Sequence, residues 1–150
     1  MQVRNRLAGA LREAGALARA VSLHEQNLTI LNNLPDAPRS LGITLRGNLA
    51  VGYNDMGRTD EAIQLLGECL ADAHDLFGDR HPETLALRNN LARAYQKAGD
   101  TGRAIEELEL LLEDYVRVLG DQDPETIGVR ENLADAYASA GRLDGGPSAD

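Results

Sequence analysis

A period of 42 residues runs through this chain and constrains its fold more than any other feature. Tyr53, Tyr95 and Tyr137 follow one another at that interval, and four further columns keep it along the whole sequence. These are Arg4, Arg46, Arg88 and Arg130; Leu7, Leu49, Leu91 and Leu133; Ala8, Ala50, Ala92 and Ala134; and Gly15, Gly57, Gly99 and Gly141. Ala20, Ala62 and Ala104 share the spacing, as do Leu28, Leu70 and Leu112. A period of about 20 to 50 residues marks stacked supersecondary units that cannot bury their apolar faces alone.

Within one unit the apolar residues fall at helical steps. Leu85, Leu91, Tyr95 and Ala98, then Ala104, Ile105, Leu108, Leu112 and Tyr115, recur three or four residues apart, and no period-two alternation points to strands. Gly57-Arg58-Thr59 and Gly99-Asp100-Thr101 place a helix-ending glycine before a threonine that can cap the next helix. Gly78 to Thr84 and Gly120 to Thr126 are longer joints. Each carries a proline suited to a first helical turn, with Asp123 a good N-cap and His81 a poorer one. This punctuation predicts helices over 2–14, 17–34, 40–56, 59–77, 82–98, 101–119 and 124–140. They form one domain over 1–140, with units of about 1–45, 46–87 and 88–129, a lone helix 130–140, and a disordered tail over 141–150.

Composition narrows the function classes. Aromatic residues make up 3% of the chain, with no Trp, so the core rests on aliphatic side chains and base-stacking platforms are excluded. Fifteen Lys and Arg against 24 Asp and Glu leave a net charge of -9, which repels nucleic acid and anionic lipid surfaces. No apolar run suits a signal peptide or a membrane span, and the single cysteine, Cys69, cannot form an internal disulfide. A reducing, cytoplasmic setting is expected.

The stretch Arg88 to Gly99, continuing through Ala104-Ile105 to Leu119-Gly120-Asp121 and Asp123-Pro124-Glu125-Thr126, resembles the tetratricopeptide repeat (TPR). More narrowly, it is similar to the long form of about 42 residues found in kinesin light chains and bacterial regulatory proteins. The resemblance implies an all-α, right-handed superhelical solenoid of antiparallel helix pairs, the first helix of each pair lining a concave groove.

Counting helical steps from the Leu, Ala and Tyr columns separates a second ridge on these first helices. It carries Asn48 and Asp55, then Asn90, Arg93 and Lys97, then Asn132 and Asp135, with Asn89 on a neighbouring ridge. An Asn amide can pair with a peptide backbone in either sense, and the resemblance implies that Asn48, Asn90 and Asn132 line a peptide groove. The alternative is that they bond across helices or to solvent. Arg93 and Lys97 suit a ligand carboxylate. Acidic residues on the second helices, among them Glu106, Glu107, Glu109, Glu113 and Asp114, are expected on a solvated outer face.

No catalytic constellation emerges. His24, His74 and His81 lack paired spacing, so neither a metal nor a cofactor is expected. Cys69 falls on a packed helix face and reads as an inert buried thiol. Gly99 to Arg103 lacks the Gly-Lys-Ser/Thr end of a phosphate loop. The expectation is a non-enzymatic module that binds a carboxylate-bearing peptide or protein segment in its groove. The alternative is a fragment or sensor arm of a larger bacterial switch protein, of the signal-transduction ATPase type. Leu133, Tyr137 and Ala138 lack the usual following helix, so a homodimer through open repeat ends is also expected.

Overall fold

The computed structural model describes residues 4, 6, 7 and 15–144, and among them the regular structure is helical throughout. Six helices follow in order: α1 Leu17–Asn32, α2 Arg39–Asp55, α3 Thr59–Phe77, α4 Pro82–Lys97, α5 Thr101–Leu119 and α6 Pro124–Asp144. Most of the first expected helix, over 2–14, lies outside the described residues. The backbone divides into two compact units, Met1–Leu76 and Phe77–Asp150.

Capping chemistry sets the helix starts, with two changes from the sequence reading. Asp100, not Thr101, caps α5, its carboxylate accepting from the Arg103 N–H at 3.2 Å. His81 serves α4 well: its Nδ1 accepts from the Glu83 N–H at 3.1 Å, while its ring stacks on Phe77 with centroids 4.4 Å apart. Gly57 and Gly99 end their helices at φ 83° and 88°, where a Cβ would be strained. Gly141 instead lies inside α6, which runs to Asp144, so the tail expected from 141 is helical over its first four residues.

In the first unit α1 and α2 meet over Ala20, Val21, Leu31, Ile43, Leu49 and Ala50, all buried. A Cβ at Gly52 would come within 2.9 Å of a Val21 methyl, so only glycine permits this approach. Ala62, Leu66, Cys69 and Ala73 of α3 complete the unit, and Cys69 Sγ rests 4.0 Å from the Ile43 carbonyl oxygen. Burial pushes the Cys69 thiol up to about 11, as expected of an inert thiol.

In the second unit α5 packs between α4 and α6. Its core is Leu85 and Ala92 from α4, Leu108, Leu111 and Tyr115 from α5, and Val129 and Ala136 from α6. The Thr84 hydroxyl donates to the Gly78 carbonyl at 2.8 Å, fastening the long joint to the start of α4. The tyrosine column is half-buried, and two of its hydroxyls bond to carboxylates. Tyr53 donates to Glu25 at 2.8 Å in the first unit, and Tyr137 donates to Glu109 in the second. The Tyr95 ring lies under the Arg103 guanidinium, 5.0 Å away, as the Tyr53 ring lies under that of Arg58 at 4.1 Å.

Candidate functional site

The polar ridge residues divide between the two units. On α2, Asn48 and Asp55 are half-buried and both already engage neighbours. In the second unit Asn89 and Asn90 are half-buried on α4, and Arg93 and Lys97 are exposed toward its C-terminal end. A cation in the last helical turn is favoured by the backbone dipole, and Lys97 holds that position.

One contact decides how α4 and α6 present their polar faces. The Asn132 amide donates to the Asn89 amide oxygen at 3.0 Å, joining two of the expected groove residues across helices. The Asn89 amide nitrogen and the Asn132 amide oxygen each retain hydrogen-bonding capacity beyond that bond. Asp135 lies exposed on α6, three residues beyond Asn132. The second unit thus carries two amides tied together, a third half-buried amide at Asn90 and an exposed cation at Arg93.

Each unit also holds ion pairs that follow the same period and that the residue columns alone did not disclose. Arg46 meets Asp72 at 2.5 Å and Arg88 meets Asp114 at 2.8 Å, each pair 26 residues apart. Asp72 and Asp114 share the 42-residue interval of the arginine column, which was the available signal. Asp114 is therefore not part of a solvated outer face: it also receives Arg80 at 3.3 Å, and Arg88 lies 3.9 Å from Glu107. Burial alone would raise the Asp114 pKa, but the hydrogen bonds and charges of Arg88 and Arg80 outweigh it and hold the carboxyl below its usual range. Arg130 turns instead to Asp121, donating also to its carbonyl oxygen at 2.9 Å. These arginines position helices and are not offered to a ligand.

A cavity of about 450 Å³ lies at the connection between α1 and α2, lined by Leu31, Pro38, Ile43, Arg46 and Asp72. Its two charged residues are already paired with each other. Among the described residues no cluster of His, Cys, Asp and Glu has the arrangement of a metal site. None of the described helices is long and apolar enough to cross a membrane.

Helix pairs punctuated by glycine, and first helices with a polar ridge, define a repeat protein of the solenoid class. The chain belongs to the tetratricopeptide repeat family, whose profile matches residues 1–71 and 40–115. The fold is similar to the crystal structure of nearly identical TPR-like repeats of a kinesin light chain type from Podosopora anserina. That match has a TM-score of 0.83 and 29% identity, covering 95% of this chain and 68% of the other. A singly substituted form of the same repeats matches with a TM-score of 0.82 and 28% identity, over 95% of this chain and 68% of that one. BtubC (BKLC) from P. vanneervenii is similar at a TM-score of 0.77 and 25% identity, over 92% of this chain and 54% of that one. This chain thus spans about half the length of BtubC. No curated protein matches it. The fold class is all-α, of the TPR solenoid kind, and repeats of this family are protein-interaction modules.

Proposed function

We propose that this chain is a non-catalytic docking module that holds an extended peptide or protein segment along the first helices of its repeats. Asn90, Arg93 and Lys97 provide the centre in the second unit, flanked by Asn89, Asn132 and Asp135. Asn48 and Asp55 provide the corresponding ridge in the first. The observation that carries the reading is the polar ridge of α4, where half-buried Asn90 stands on the same face as exposed Arg93 and Lys97; Asn132 instead bonds across helices to Asn89. Arg93 supplies an exposed guanidinium three residues beyond Asn90, so the segment it favours bears a carboxylate. The free, buried Cys69 thiol supports a reducing, cytoplasmic setting. A second reading, an arm of a larger bacterial regulatory protein, takes its support from the match to only 54% of BtubC.

The test begins with peptides selected on the wild-type chain from a random display library. Arg93→Glu should weaken the selected peptides by about 10- to 100-fold and Asn90→Ala by about 2- to 10-fold, from the usual values of charged and neutral hydrogen bonds. The wild type should also lose affinity more steeply with salt than the Arg93 variant. Folded variants that both bind like the wild type would refute the groove.

A further inference from the structure

The 42-residue spacing allows the connections α1–α2, α3–α4 and α5–α6 to be compared column by column. Two of them carry an aromatic ring of their own. At the α3–α4 connection Phe77 stacks on His81. In the last turns of α5, Tyr115 is buried, and its carbonyl oxygen accepts the hydroxyl of buried Thr126 from the start of α6 at 3.5 Å. The α1–α2 connection has Pro35 and Arg39 in the columns of Phe77 and His81, and Leu31 and Gly42 in those of Tyr115 and Thr126. That connection holds the cavity of about 450 Å³, and none of the described residues lining it is aromatic.

Leu28, Leu31, Leu34, Pro38 and Ile43 give the cavity an apolar wall, and Leu34, half exposed, carries that wall to the surface. Gly42 leaves the space open. Its φ is not positive, and a Cβ there would stand 3.6 Å from a Leu31 methyl, an ordinary contact, so neither backbone nor packing demands glycine. Thr84, in the same column, is buried and fastens its own connection through the Gly78 carbonyl. The charges on the lining compensate one another: Arg46 donates to Asp72 and, from Nε, to the Gly42 carbonyl at 3.2 Å, while Arg39 donates to Asp75 at 3.0 Å. A further charge would leave water for groups already engaged, so the cavity favours a neutral, apolar occupant.

We propose that this cavity is a socket for one neutral aromatic side chain, Phe or Tyr, presented by a partner protein. The partner supplies from outside the ring that the other two connections hold from within. A volume of about 450 Å³ lies in the range of cavities that enclose small ligands, so the ring enters with part of the backbone that carries it. An aromatic side chain also brings a large apolar area with few torsions to fix. A second copy of this chain has no such ring to offer. Its aromatic residues, Tyr53, Phe77, Tyr95, Tyr115 and Tyr137, are all buried or half-buried. Neither Asn48 nor Asp55 lines the cavity, so the socket is independent of the peptide groove.

Titration of the full chain with capped single amino acids, followed by NMR of the Leu31 and Ile43 methyl groups, tests it. N-acetyl-tyrosine amide and N-acetyl-phenylalanine amide should shift both residues and bind in the millimolar range. N-acetyl-leucine amide should bind at least about threefold more weakly, and N-acetyl-arginine amide at least about tenfold more weakly. Importing the third repeat's residues should close the socket: Leu31→Tyr with Gly42→Thr should weaken the aromatic amides by about tenfold or more, with helicity unchanged. If that pair does not fold, Gly42→Thr alone decides, with an expected loss of about threefold or more. Absence of shifts at Leu31 and Ile43 would overturn the proposal, as would leucine or arginine amides that bind as tightly as the aromatic ones. So would a folded filled variant that binds like the wild type. Shifts at both residues on concentrating the chain without any probe would assign the cavity to a second copy instead.

Discussion

α4 and α6 are built from nearly the same columns and meet different fates. Leu85 is 0% exposed and Ile127 39%; Ala92 is 0% exposed and Ala134 lies open. Arg88 grips Asp114 from the facing helix, whereas Arg130 turns back to Asp121 in the joint just before its own helix. Residue type alone therefore does not decide burial in a repeat array. A column is core only where a second helix covers it, and the free energy of a repeat resides largely in its interfaces with neighbours.

The sharpest way to break that comparison is to remove the same kind of side chain from both helices. Leu85→Ala should cost about 2–5 kcal/mol, because the cavity opens in a filled core. Ile127→Ala should cost well under half as much, since part of that side chain already faces solvent. Urea unfolding of the two variants beside the wild type measures both, and equal losses would show that α6 is covered in solution.

The ion pairs give the next largest difference. Arg88→Ala leaves Asp114 half-buried with only Arg80 beside it, and should cost about 1–3 kcal/mol at neutral pH. Arg39→Ala removes an exposed pair with Asp75 and should cost under about 1 kcal/mol. Acid sharpens the contrast. Because the folded state lowers the Asp114 pKa, its contribution is complete above the ordinary carboxylate pKa and fades as pH falls through the lowered one. The gap between wild type and Arg88→Ala should therefore narrow on acidification. A gap independent of pH would assign the loss to packing of the Arg88 stem.

What the sequence made legible follows the same division. Gly57, Gly78, Gly99 and Gly120 marked the helix stops because a residue at positive φ is nearly always glycine, and that requirement is local. Gly141 misled because glycine permits a helix stop without enforcing one, and α6 continues through it to Asp144. The polar ridge was readable as a spacing. The bond between Asn89 and Asn132 was not, since it depends on two helices arriving side by side. Asp114 was assigned to a solvated face for a similar reason: a run of acids on one helix does not disclose that Arg88 and Arg80 reach one of them.

The smallest effect isolates α6 from its surroundings altogether. Gly128 occupies the column in which α4 has Ala86, and a Cβ added there would meet nothing within 4 Å. Glycine inside a helix costs about 0.5–1 kcal/mol relative to alanine, through the backbone freedom it gives the unfolded chain. Gly128→Ala should therefore stabilise the protein by about that amount, without any new packing in the folded state. Helix α6 begins at Pro124 and packs on α5, so the gain should appear in the global unfolding midpoint of the second unit. Hydrogen exchange along α6 separates the two ways this can come out. Slower exchange together with a raised midpoint means that α6 unfolds with α4 and α5. Slower exchange with an unchanged midpoint means that α6 opens by itself, and its exposed face would then belong to a helix that frays before the rest of the unit.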